Sequence, residues 1–183
     1  MIFIIIITCL NMKRIKLTES QLHTIIREAV DSVLNAQDDK NYVDRGKFYD
    51  GVAWVKNAEG KCNYIKPNGE LLSDVWYDDA FDFNDGCGVV KYKGKYNFLN
   101  TLGELVSDKW FKDVKRFSDG FAAVMRNDGK WNFINTLGEV ISKMWFDNCY
   151  FFGKEGGEVV INGKTKYIDS NGKFMLQRKE RGF

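Results

Sequence analysis

The chain repeats itself between positions 46 and 174 with a period of about 34 residues, which is within the range of known repeat proteins. One element occurs at near-equal spacing as Lys61-Cys-Asn-Tyr-Ile, Lys95-Tyr-Asn-Phe-Leu, Lys130-Trp-Asn-Phe-Ile and Lys164-Thr-Lys-Tyr-Ile. Three more elements keep the same phase: glycines at Gly69, Gly103, Gly138 and Gly172, tryptophans at Trp76, Trp110 and Trp145, and Asp-Gly pairs at 85–86 and 119–120. Four elements in one phase exclude chance and predict a tandem array, in which each unit buries its apolar face against a neighbour.

The segments between the turns alternate apolar and polar residues, which is the period of a β-strand. In the third copy we predict strands over 120–126 and 130–135 joined by a turn at Asn127-Asp-Gly129, then a short strand over 139–142. The predicted fold is mainly β: tandem β-hairpin or meander repeats in an open solenoid-like array. The alternative is a small propeller, which needs four strands per copy to close.

The repeated aromatic residues are predicted to be packing residues, with Phe83, Phe98, Phe117 and Phe133 as examples. An alternative is that some of them line an exposed groove that stacks on sugars or peptides. Four repeats are predicted over 46–176, the last one a degenerate cap, because Thr165-Lys166 replaces Trp131-Asn132. Residues 177–183 form a charged tail.

One amphipathic helix is predicted over residues 12–36, followed by a linker over 37–45. Thr18 and Gln21 fit a capping box, Leu17 and Leu22 fit a hydrophobic staple, and an apolar stripe follows from Leu22 to Leu34. A helix of this length is marginal alone in water, so something must cover the stripe. The candidates are the β array, another protein or a second copy.

Residues 1–11 contain a nine-residue apolar run that is too short to span a bilayer as a helix. Basic residues follow this run instead of preceding it. We interpret Met12 as the true start; the alternative is an atypical signal peptide or membrane anchor.

No catalytic residue, cofactor site or metal site is predicted, and the ligand-binding residues are unknown. The chain contains no nucleotide-binding loop and no hydrolase motif, and its only histidine, His23, has no evident catalytic partner.

The four cysteines Cys9, Cys62, Cys87 and Cys149 contain no Cys-x-x-Cys pair, so we interpret them as small hydrophobic residues. The acidic cluster Asp78, Asp79, Asp82 and Asp85 is interpreted as turn and surface residues, because lysines replace two of them in the next copy. The net charge of +2 indicates neither nucleic acid nor an anionic membrane as a partner.

The repeat resembles the WG-repeat (KWG) family, whose motif is Gly-Lys-Trp-Gly-Phe-Ile-Asp-x-x-Gly-Lys. The nearest copy is Gly129-Lys-Trp-Asn-Phe-Ile-Asn-Thr-Leu-Gly-Glu139, after a strand Phe117-Ser-Asp-Gly-Phe-Ala-Ala-Val124. The resemblance extends over most of the chain and departs from the motif tryptophan in all but one copy. It also departs at the motif glycine, which is Asn63, Asn97 and Asn132. Because asparagine tolerates left-handed backbone conformations, we expect the turn geometry to be kept there.

The resemblance implies a β-repeat array of bacterial or phage type that acts as an interaction module and brings no catalytic residues. We therefore expect a non-enzymatic scaffold, in the cytoplasm or a phage particle, whose partner is another protein bound by the N-terminal helix or an array face. The alternative is a secreted or surface carbohydrate- or peptidoglycan-binding module, exported if residues 1–11 are a signal. A membrane partner is expected only if residues 1–11 are an anchor.

Overall fold

The computed structural model describes residues 18–27 and 42–175. The chain divides into two units, Met1–Gln37 and Asp38–Phe183. Residues 1–11, the predicted start segment, and the tail from 177 onward lie outside the described residues, as does Cys9. No helix in the described part of the chain has both the length and the apolar character needed to cross a membrane.

The first unit contains helix α1, described over residues 19–27. The Thr18 backbone N–H donates to Gln21 Oε1 at 3.0 Å, and the Gln21 N–H donates to Thr18 Oγ1 at 3.2 Å. This reciprocal pair is the predicted capping box, and it satisfies two of the donors left free at a helix N-terminus. Leu22, Ile25 and Ile26 on the helix are 39%, 47% and 49% exposed. The predicted staple residue Leu17 lies outside the described residues.

The second unit is a series of four three-stranded antiparallel sheets, which confirms the predicted mainly β tandem array. The strands are β1 (Asp44–Arg45), β2 (Ala53–Lys56), β3 (Cys62–Ile65), β4 (Asp79–Ala80), β5 (Cys87–Tyr92), β6 (Lys95–Asn100), β7 (Asp113–Val114), β8 (Phe121–Met125), β9 (Trp131–Asn135), β10 (Asn148–Gly153), β11 (Gly156–Ile161) and β12 (Lys164–Ile168). Each sheet contains three consecutive strands in sequence order. The first sheet therefore includes Asp44–Arg45, which the sequence pattern placed in the linker.

In each sheet, the strand outside the hairpin comes before the hairpin in the sequence, whereas the prediction placed it after the hairpin. In the third copy the hairpin strands β8 and β9 match the predicted strands within one residue, but β7 supplies the third strand. The strand predicted over 139–142 is wrong: only Val140 pairs, in a single bridge to Ile134. After this bridge the Ser142 hydroxyl accepts the Met144 N–H at 3.2 Å, so the chain turns instead of continuing as a strand.

The core is divided into layers that lie between successive sheets. One cluster joins the first and second sheets around Tyr64 and Val90, another joins the second and third around Phe98 and Val124, and another joins the third and fourth around Phe133 and Val159. A smaller cluster, Ala53, Val55 and Ile65, belongs to the first sheet alone. None of these four described clusters joins the first sheet to the fourth, as expected for an open array.

A pair of aromatic rings crosses each layer between sheets. Tyr64 meets Phe83 edge-on with ring centroids 4.8 Å apart, and Phe98 meets Phe117 in the same way at 4.8 Å. Phe133 and Phe152 repeat the contact at 5.2 Å. Edge-to-face geometry is favoured because the positive ring edge faces the negative ring face. The repeated aromatic positions are therefore packing residues first, as the period predicts.

The asparagines at the family's glycine position are buried inside strands. Their side chains form hydrogen bonds to the backbone of the segment that follows the strand, and we call this contact the asparagine bracket. Asn97 is fully buried, and its Nδ2 donates to the backbone carbonyls of Ser107 at 2.8 Å and Lys109 at 3.1 Å. Its Oδ1 accepts the Phe98 N–H at 2.8 Å. Asn63 and Asn132 make the same type of contact with Ser73 and Ser142. The expected left-handed backbone is wrong at these three positions, because none of them has a positive φ.

The hairpin turns alternate between two lengths along the array. In the second and fourth copies the turns are the two-residue Lys93-Gly94 and Asn162-Gly163, with positive φ at every position. Asp78 Oδ2 accepts the Lys93 N–H at 2.6 Å, and Asp147 Oδ2 accepts the Asn162 N–H at 2.6 Å. The turns of the first and third copies are longer and are closed by bonds from Asn57 N–H to the Lys61 carbonyl and from Arg126 N–H to the Lys130 carbonyl. There the residues equivalent to the two aspartates are Val43 and Lys112.

Gly103→Ala is predicted to destabilise the array more than Gly94→Ala. Both glycines have positive φ, of 83° and 77° respectively. A Cβ on Gly103 would lie 1.9 Å from the Leu72 carbonyl oxygen of the preceding copy, whereas a Cβ on Gly94 would meet nothing within 4 Å. Backbone strain should cost each variant about 1 kcal/mol, and overpacking should cost Gly103→Ala roughly a further 1–3 kcal/mol. Urea unfolding followed by tryptophan fluorescence measures both, and equal losses would contradict the close packing of successive copies.

Asn97→Ala is predicted to lower the free energy of unfolding by about 1–3 kcal/mol, because it leaves buried backbone groups without partners. Asn127→Ala, at an exposed position, is the matched control and should change stability by less than about 0.5 kcal/mol. The midpoint of thermal unfolding, read by circular dichroism, compares the two. A neutral Asn97→Ala would mean that the bracket does not hold the segment after β6.

Candidate functional site

The tryptophans at the end of each connecting segment are only partly buried. Trp145 precedes Phe146, whose backbone pairs with that of Trp131 through hydrogen bonds of 2.8 and 2.9 Å. Trp110 is placed in the same way, by the pairing of Phe111 with Tyr96. Each indole lies beside a core layer, Trp110 against the first-to-second layer and Trp145 against the second-to-third layer. The strand pairing fixes these side chains at a surface while leaving part of each ring accessible.

A cavity of about 650 Å³ lies between Trp110 and Trp145, and we call it the tryptophan pocket. Its lining combines the two indoles with apolar, amide and charged side chains: Lys109, Phe111, Arg126, Asn127, Asp128 and Val140. This volume falls in the roughly 300–1,000 Å³ range of ligand pockets. Half of its lining residues are apolar or aromatic and half are polar or charged, so both kinds of contact are available to a ligand.

The guanidinium of Arg126 is held in place at the rim of the tryptophan pocket. It lies 4.3 Å from the centroid of the Trp145 ring and forms two contacts to the Asp128 carboxylate, from Nη2 at 2.5 Å and from Nε at 3.2 Å. The backbone N–H of Lys130 and the Arg126 side chain hold the pKa of Asp128 below its usual value. The pocket therefore presents a fixed arginine and carboxylate beside an indole.

Each indole of the pocket has one neighbouring side chain at its ring. Tyr92 lies 5.8 Å from Trp110, centroid to centroid, and Arg126 covers one face of Trp145. Arg126 occupies the position that Tyr92 has in the preceding copy. Each tryptophan is therefore flanked by a side chain of its own array, and both tryptophans line the same cavity.

The four aspartates of the predicted acidic cluster each have a separate partner. Asp78 pairs with Lys61 Nζ at 2.7 Å, and Asp79 accepts the Ala80 N–H at 3.1 Å. Asp82 accepts the Trp54 indole N–H at 3.0 Å, and Asp85 accepts the Gly120 N–H at 3.0 Å. Within the described ranges, no group of three or more His, Cys, Asp or Glu side chains could hold a metal ion.

The three described cysteines are buried in the layers between sheets. Cys62, Cys87 and Cys149 are free, and each belongs to a different core cluster. Burial raises the pKa of Cys87 to about 11 and that of Cys149 to about 12, so both thiols are protonated at neutral pH. His23 lies on the exposed surface of α1 in the other unit.

One feature of the site and one of the surrounding fold were not predicted from the sequence. The role of Arg126 depends on its contact with Trp145, which lies in a separate connecting segment. An arginine and a tryptophan that far apart in the sequence do not by themselves predict that their side chains meet. The serines Ser73, Ser107 and Ser142, whose carbonyls receive the asparagine brackets, do recur in phase with the repeat and were a usable signal.

These observations define the protein as an array of three-stranded antiparallel repeats with partly exposed tryptophans. A family model for the WG containing repeat matches residues 64–96, 98–131 and 133–164. Together these segments make up more than half of the chain, so the chain belongs to the WG-containing repeat family. No curated protein matches its sequence significantly.

Several solved structures are similar to the chain at low identity. The computationally designed Ika4 protein matches at 15% identity and a TM-score of 0.42, covering 66% of this chain and 88% of Ika4. BamB from Moraxella catarrhalis matches at 14% identity and 0.37, covering 69% of this chain and 40% of BamB. Kluyveromyces lactis Hsv2 matches at 8% identity and 0.46, covering 73% of this chain and 50% of Hsv2. The chain thus spans half or less of the two natural proteins.

Lys130→Met is predicted to raise the pKa of Asp147, which the Lys130 side chain, 2.6 Å away, lowers most strongly. A lowered carboxyl pKa stabilises the fold above the unfolded value of about 3.9, and this contribution is lost as pH falls through the folded value. NMR titration of the Asp147 carboxyl measures the shift. Asp78, which is paired with Lys61, is the internal control and should not move. An unchanged Asp147 pKa would show that the ion pair does not persist in solution.

Proposed function

We propose that this protein is a non-enzymatic interaction module and that the tryptophan pocket binds a partner protein. The observation that carries the proposal is the placement of two partly buried indoles and a fixed arginine around one cavity of about 650 Å³. Tryptophan and arginine are enriched among the residues that contribute most to protein–protein affinity. The partner is proposed to insert an apolar side chain between Trp110 and Trp145.

The side chains beside the two indoles favour a protein partner over a carbohydrate. A sugar ring stacks on an aromatic face, but Arg126 occupies one face of Trp145 and Tyr92 lies beside Trp110. An apolar side chain needs only the space between the rings, and its backbone can bond to the polar groups of Asn127 and Asp128 at the rim. The carbohydrate alternative is therefore the weaker proposal for this pocket.

The wider setting is proposed on the same basis. A scaffold of bacterial or phage type in the cytoplasm or a phage particle agrees with family membership and with buried, protonated cysteines. No enzymatic activity is proposed, since the titratable groups of the pocket are a lysine and an arginine–carboxylate pair without a nucleophile.

Trp145→Ala is predicted to weaken binding of the partner about 30-fold, the effect of losing a hot-spot residue worth roughly 2 kcal/mol. The partner is first isolated by cross-linking and affinity purification on the full chain, then purified and titrated by calorimetry. Trp110→Ala should weaken the same complex.

Leu137→Ser is the matched control, because Leu137 is 77% exposed and does not line the tryptophan pocket. Its affinity should equal that of the unaltered chain, and circular dichroism should show all three variants folded. Equal binding by Trp145→Ala would overturn the pocket as the site. Binding to a glycan array that is lost in Trp145→Ala would establish the carbohydrate function instead.

A further inference from the structure

The fourth sheet departs from the repeat at its first strand. β10 has six residues, whereas β4 and β7 have two each. The pairing of β10 with β11 shifts register between Cys149 and Phe152, so Tyr150 and Phe151 together face Glu158. Such a bulge re-aims side chains and is over-represented beside functional sites. Tyr150 and Phe151 are 45% and 59% exposed, which is unusual for two adjacent aromatic residues.

A second cavity, of about 360 Å³, lies against this bulge. Its wall contains Phe121 and Phe152, whose rings stack with centroids 4.0 Å apart, and Tyr150 and Phe151 extend the apolar surface outward. We call these four side chains the aromatic patch. The cavity is large enough for one bulky apolar side chain of a ligand, and its aromatic walls supply the contact area.

Both charged residues that line the second cavity are cations, Lys115 and Arg116. The Lys115 ammonium donates to the Cys149 carbonyl at 2.6 Å and lies 5.0 Å from the centroid of the Tyr150 ring, so it is fixed beside the patch. The Arg116 side chain is exposed at the rim. The equivalent residues of the second copy are Phe81 and Asp82, so this charge belongs to the third copy.

We propose that the aromatic patch binds an acidic peptide segment of a partner protein. A large apolar side chain enters the cavity, and neighbouring carboxylates pair with Arg116 and Lys115 in charge-assisted hydrogen bonds. A concave cavity with two cations suits a short peptide better than a nucleic acid or a lipid surface, which need a broad field of positive charge. The inference rests on the proposed interaction function but concerns a different site from the tryptophan pocket.

The test is a selection from a display library of short random peptides on the immobilised full chain, followed by titration of the synthetic consensus peptide. We expect a consensus in which an aromatic or large aliphatic residue is flanked by Asp or Glu. Arg116→Glu should weaken its binding at least tenfold, and Phe151→Ser should weaken it as well. Affinity should fall as salt is raised, because exposed charges are screened.

Lys47→Glu is the matched control: it makes the same change of charge at the equivalent position of the first sheet and should leave binding unchanged. Trp145→Ala should also leave binding of the peptide unchanged.

The proposal is overturned by a selection without a consensus, by a consensus without acidic residues, or by equal binding of Arg116→Glu. Loss of the peptide in Trp145→Ala would assign it to the tryptophan pocket. Binding to vesicles of anionic phospholipid, with no peptide enriched, would make the patch a lipid site. If only the peptide result fails while the partner of the tryptophan pocket still binds, this inference fails and the proposed function stands.

Discussion

The edge-to-face ring pair between successive sheets is the contact on which the array depends. A sheet of such short strands has little area of its own, and its ring at the Tyr64, Phe98 or Phe133 position finds a partner only in the next copy. Stability is then a sum of contacts between neighbours, as in other repeat proteins. The ends are the exceptions: Phe48 beside the first sheet and Tyr167 in the last one lack the repeated ring partner among the described residues.

The repeat and the hairpins were predictable because they leave strong patterns. The period of the repeat and the alternation in segments such as Phe121–Met125 gave the strands of the third hairpin within one residue. The two-residue strands were not predictable, because Asp113–Val114 is too short to show an alternation. The role of Asn97 was missed because its partners are backbone carbonyls 10 and 12 residues later, and a carbonyl carries no sequence signal.

Each candidate surface contains residues at which one copy differs from the others, and the tryptophan pocket adds the repeated Trp110 and Trp145. Arg126 stands at the position that Tyr92 has in the second copy. It lies over Trp145 and lines the tryptophan pocket. The bulge at Tyr150 and Phe151 lies at the second cavity, which both residues line. Neither difference disturbs the ring pairs, since Phe133 and Phe152 still meet across that layer. A repeat scaffold can therefore vary its surface residue by residue without loss of its core.

The alternating hairpin turns limit which changes in copy number would keep the contacts of the array. Lys61 and Lys130 occupy the same position two copies apart, as do their partners Asp78 and Asp147, so the electrostatic period is two copies and not one. Between these pairs, the corresponding positions are both lysines, Lys95 and Lys112. Deleting the second copy alone would bring two turns of one length together and would set Lys61 opposite Lys112 in place of an aspartate. Copies gained or lost in twos would preserve every such contact.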